Sequence, residues 1–68
     1  MTVYAVKKIN LDKADTMEKY WELVKNADIK YCNGLDELRQ YCGGKLHRER
    51  CGYAGIVGNI EYVAERVN

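Results

Sequence analysis

The two ends of the chain carry nearly the same run of residue classes, Tyr4-Ala5-Val6-Lys7-Lys8-Ile9-Asn10 near the start and Tyr62-Val63-Ala64-Glu65-Arg66-Val67-Asn68 at the finish. Each is rich in aromatic and β-branched types. In the first, Val3, Ala5 and Ile9 alternate with Tyr4, Val6 and Lys8, which is the period-2 pattern of a strand. Apolar groups occur on both faces, so this strand is expected to be central or covered on two sides. The second run also fits a helix capped by Asn59, since Ile60, Val63, Ala64 and Val67 fall at i, i+3, i+4 and i+7. The echo of the first run favours the strand. Gly58-Asn59 then joins two β-branched runs in a two-residue hairpin of the type II′ class. Paired in one sheet, the two ends would offer Glu65 to Lys7 or Lys8.

Helical signals fill the middle. Asp12 or Asp15 is the expected N-cap of a first helix, with Asp15 and Glu18 in capping-box spacing. At 100° per residue Met17, Tyr20, Trp21, Val24 and Ala27 share a face opposite Asp15, Glu18, Lys19, Glu22 and Lys25, so Met17, Trp21 and Val24 are predicted to be core. Asn33 precedes a second helix through Leu35, Leu38, Tyr41 and Cys42. Asp36 and Glu37 lie in its first turn, and Gly43-Gly44 stops it. Ile29 to Cys32 is too short to assign. The expectation is one α+β domain over residues 1–68, ordered β-α-α-β-β, with a three-stranded antiparallel sheet and both helices on one face. The open face, with Ile56, Ile60 and Tyr62 among its candidates, would then need cover, and a symmetric homodimer is the simplest one.

At 68 residues the chain has no room for a catalytic domain beside a regulatory one, and a domain of this size buries only about 60% of its unfolded surface. Its 47% hydrophobic and 31% charged residues exclude a disordered composition. A net charge of +1 lacks the basic excess of a duplex-binding module. No apolar run approaches the roughly 18 residues of a membrane span, and Lys7 and Lys8 interrupt the apolar stretch from Met1 to Ile9 where a signal peptide would be continuous. Three cysteines fit a reducing compartment better than a disulfide framework, so a cytoplasmic protein without membrane contact is expected.

Chemistry-bearing motifs are sparse. There is no serine nucleophile in the chain. Cys32, Cys42, His47 and Cys51 are four zinc-type donors in twenty residues, but the Cys-x2-Cys chelate that opens a zinc knuckle is missing, and free thiols packed as small hydrophobes are the better reading. Cys42 or Cys51 beside His47 lacks an oxyanion hole. Glu18 with Glu22, and Asp36 with Glu37, read as solubilising charge. Neither a cofactor nor an enzymatic activity is expected. What stands out is the local cluster Lys45, His47, Arg48 and Arg50, followed by Gly52-Tyr53-Ala54-Gly55. Guanidinium forks, exposed amides and the Tyr53 ring together form the equipment of an anion or base-stacking site.

In size and economy the chain is similar in style to small phage-encoded or mobile-element proteins that act by adhering to a host factor. That similarity implies a non-enzymatic binding protein, an inhibitor that blocks a host or defence protein by direct contact. The alternative is a module that sequesters a nucleotide or short single-stranded nucleic acid through residues 45–53, with Lys45, His47, Arg48, Arg50 and Tyr53 as the contact residues.

Overall fold

The computed structural model describes residues 2–67. Its elements run β1 (Val3–Asn10), a single 3₁₀ turn (Leu11–Lys13), α1 (Met17–Asn26), β2 (Lys30–Asn33), α2 (Gly34–Cys42), β3 (His47–Glu49), β4 (Gly52–Val57) and β5 (Ile60–Arg66). The five strands form one antiparallel sheet in the order β2-β1-β5-β4-β3. The α+β class and the pairing of the two chain ends match the sequence. The three-stranded sheet does not, because β2 and β3 flank the three long strands. Both are edge strands of four and three residues, too short for alternation to show. Met1 and Asn68, the outermost positions of the two terminal runs, lie outside the described residues.

β5 is a strand because the hairpin forms as read: Gly58 has φ 63°, and among the described residues none other than glycine has positive φ, as a type II′ turn requires. The register sets Tyr4 opposite Arg66, Val6 opposite Ala64 and Lys8 opposite Tyr62. Glu65 therefore lies opposite Ala5, and the anticipated ion pair to Lys7 or Lys8 does not form.

The helices cover opposite faces of the sheet, which corrects the expected arrangement on one face. On the first face, α2 packs Leu38 and Cys42 against Tyr4, Val6, Cys32 and Ala64, with Tyr41, Leu46, Tyr53 and Tyr62 around them. α2 ends at Gly43, which takes the left-handed C-cap conformation (φ 75°) available at little cost to glycine. The chain then passes so close above β4 that a Cβ on Gly55 would collide with the Lys45 carbonyl.

On the second face, α1 is held by polar contacts. Lys7 Nζ donates to the Val24 carbonyl at 2.9 Å, and the Tyr20 hydroxyl donates to Glu61 at 2.5 Å. Ile9 is buried on this side, apart from the main cluster. α1 buries none of its residues. Met17 and Trp21, expected in the core, are 69% and 60% exposed. The sheet meets α1 with Lys7 and Glu61 beside the buried Ile9, and Met17 and Trp21 stay outside that contact. Thr16, rather than Asp12 or Asp15, caps α1, its hydroxyl accepting from the Lys19 amide at 3.1 Å.

Candidate functional site: an arginine and tyrosine cleft

Strand alternation sorts charge across the sheet. Successive side chains point to opposite faces, and with the observed registers this puts Lys8, Lys30, Arg48 and Arg66 on the α2 side and Glu49, Glu61 and Glu65 on the α1 side. Among the strand lysines and arginines, Lys7 is on the acidic side, and it is bonded to the Val24 carbonyl. A net charge of +1 thus conceals an uneven sorting of the strand charges between the two faces of the sheet.

At the end of the basic face, where β1, β5, β4 and β3 come level, a cleft of about 420 Å³ is lined by Tyr4, Arg48, Arg50, Tyr53 and Arg66, with Glu49, Cys51 and Gly52 closing it. Tyr53 lies opposite both Arg48 and Ala64, and its ring meets Tyr4 edge to face, with centroids 5.8 Å apart at 72°. Tyr4 is buried, whereas Arg48, Arg50 and Arg66 are exposed. Among the described residues, the ion pairs are Lys19 with Asp15 and His47 with Glu49, so none of the three guanidinium groups is matched to a carboxylate. Guanidinium is planar, permanently charged and shaped for two-pronged contact with phosphate or carboxylate. Beside a tyrosine pair, three such groups form an open site for an anion that carries a flat or apolar portion.

Of the predicted contact residues, Arg48, Arg50 and Tyr53 come together here. Lys45 lies on the connection above Gly55, and His47 points to the acidic face, where its Nε2 meets Glu49 at 2.9 Å. The sequence reading missed Tyr4 and Arg66. They are register partners across β1 and β5, and the matched terminal runs carried the signal: pairing the two ends already sets Tyr4 near the end of β5.

The cysteine and histidine set is not assembled. Cys32 and Cys42 share the core, Cys51 is exposed on the β3–β4 turn, and among the described residues no three His, Cys, Asp or Glu side chains gather as metal ligands would. Burial, and then its neighbour Cys32, pushes the Cys42 thiol up to about 11, while burial and then Glu37 raise Cys32. Both remain protonated thiols at neutral pH, poor nucleophiles. Glu18, Glu22, Asp36 and Glu37 are all exposed on helices. None of the helices among the described residues is long and apolar enough to cross a membrane.

Comparison with protein-family models, curated proteins and solved structures finds no match to this chain.

Proposed function

We propose that the chain is a non-enzymatic binding protein and that the cleft of Arg48, Arg50 and Arg66 takes a phosphate-bearing ligand, a nucleotide or a short single strand. The observation that carries this reading is the convergence of three guanidinium groups, unpaired with carboxylates among the described residues, on a cleft walled by Tyr4 and Tyr53. Phosphate would sit among the arginines, and a base would lie against Tyr53. Free Cys32, Cys42 and Cys51 suit a reducing, cytoplasmic setting. The test is calorimetric titration with a mononucleotide and with a short oligothymidylate. Reversing Arg48 and Arg50 to Glu should weaken binding by on the order of 2–5 kcal/mol, as for a charge pair lost at an interface. Tyr53→Ala should cost roughly 1–3 kcal/mol, the value of one base stack. Folding should stay within about ±0.5 kcal/mol in the arginine variant, because both side chains are exposed. Full binding after the double reversal would remove the cleft from consideration.

A second reading makes the protein an inhibitor of a host or defence protein, phage-like in its economy, with an acidic partner surface entering the same cleft. The edge position of β3 favours it: among the described residues the outer side of His47–Glu49 has no neighbouring strand, so a partner strand can pair there beside Arg48. A complex that survives nuclease treatment distinguishes this reading from the first.

A further inference from the structure

The acidic face carries a groove of its own. It has about 390 Å³ of space, is lined by Tyr20, Ala54, Val63, Glu61 and Glu65, and at the β3–β4 end borders the arginine cleft through Glu49, Cys51, Gly52 and Tyr53, which line both. No lysine or arginine lines it. Exposed apolar side chains continue the surface: Trp21, 60% exposed, packs edge to face on Tyr20 with centroids 5.3 Å apart, and Ile56, 52% exposed, lies opposite Glu61 in the sheet. Large exposed apolar groups beside a groove mark a contact surface more often than an idle one.

We propose that copies of this chain associate head to tail, with the arginine cleft of one copy seated on the glutamate groove of the next. The proposal goes beyond the ligand reading and does not depend on it; the two share only the arginines. Charge complementarity selects the occupant. Arg48 of β3 and Arg66 of β5, with Arg50 on the turn after β3, stand against Glu49 of β3 and Glu61 and Glu65 of β5 on the other face of the sheet, where Glu49 also meets His47 and Glu61 accepts from Tyr20 while Glu65 is exposed. A two-fold face-to-face dimer would set glutamates against glutamates or arginines against arginines, and like charges juxtaposed at an interface are strongly unfavourable. With a net charge of +1, no overall repulsion opposes contact between unlike faces. Because the two surfaces lie on opposite sides of one sheet, the contact is heterologous. It propagates as an open chain unless rotation between copies closes it into a ring.

Sedimentation velocity over a concentration series at low salt tests this on the intact chain. Wild type is expected to form species larger than a dimer that grow with concentration and dissociate at high salt. Two variants block one surface each by neutralising exposed side chains: Arg48→Gln with Arg50→Gln in the cleft, and Glu65→Gln, which lines the groove and not the cleft. Each alone is expected to be monomeric, and an equimolar mixture is expected to stop at the dimer, since only one intact cleft and one intact groove remain. Arg48→Lys with Arg50→Lys keeps the charge and should retain assembly, which separates lost contact from lost folding. A wild type that stays monomeric at every concentration, a wild type that closes as a salt-resistant dimer, or a glutamine variant that assembles alone would overturn the proposal.

Discussion

Tyr20 shows how a single residue ties an element to the sheet. Its hydroxyl donates to Glu61 across 41 residues of sequence, and this bond first, then burial, then the Glu61 charge push the phenol up to about 12 from 10. A group whose folded pKa is raised contributes stability that is complete below its unfolded value and lost as pH climbs through the folded one. The contribution should therefore hold up to about pH 10 and fade towards pH 12. Hydrogen bonds to charged groups are worth about 1.5–3 kcal/mol, and the half-exposed position reduces this, so Tyr20→Phe is expected to cost about 1 kcal/mol at neutral pH. In a domain of this size that is a melting temperature lower by about 4–8 °C. Urea unfolding at stepped pH should show the gap between wild type and variant closing across the same alkaline window. Equal stabilities at neutral pH would mean that the bond contributes nothing. The sequence placed Tyr20 on the apolar face of the first helix but gave no sign of its bond to Glu61, because their proximity depends on the β5 register and on the placement of α1, and chain spacing encodes neither.

Among the elements, α1 is the weakest attached. It buries no residue and is held at Val24 and Tyr20, while β1 and β5 lie at the centre of the sheet. Segments with few buried apolar contacts open at free energies below that of global unfolding. Hydrogen exchange should accordingly find the amides of Met17–Asn26 exchanging well before those of Val3–Asn10 and Ile60–Arg66. Equal protection of helix and central strands would show that α1 unfolds only with the whole domain. The legibility of each element follows from the same physics. β1, β4, β5 and both helices were readable because each repeats its pattern over six residues or more. β2 and β3 were not, since an edge strand is held by its neighbour's backbone and needs no pattern of its own. The side of the sheet that α1 covers was unreadable for another reason. Its amphipathic stripe predicted a fully buried face, whereas Met17 and Trp21 stay exposed and the hydrogen bonds that fix the helix come from Lys7 and Tyr20, whose partners the stripe does not reveal. In the cleft, Arg48, Arg50 and Tyr53 were visible as a local cluster, whereas Tyr4 and Arg66 entered only through long-range pairing.

For the molecule as a whole, shape and charge act together. A protein of 7.9 kDa is expected to expose about 4,400 Å², whereas this chain exposes 4996 Å² and extends over 36 × 21 × 20 Å. The surplus belongs to an elongated sheet whose acidic side is covered only by a loosely seated helix. A small domain with this ratio of surface to core has a narrow stability margin, so a ligand that binds only the folded state shows directly in the melting curve. At a hundredfold excess over Kd the gain is about 2.7 kcal/mol. With each kcal/mol worth about 4–8 °C in a domain of this length, a saturating nucleotide should raise the melting temperature by on the order of 10–20 °C. If the same arginines also hold the next copy of the chain, that ligand must dissolve the assembly as it stabilises the monomer. A thermal melt and a sedimentation run on one titration series should therefore move in opposite senses, the melting temperature rising while the mean mass falls. Arg48→Gln with Arg50→Gln should abolish both responses together. A rise in melting temperature with the assembly intact would mean that ligand and neighbour use different arginines, and the single shared cleft would have to be abandoned.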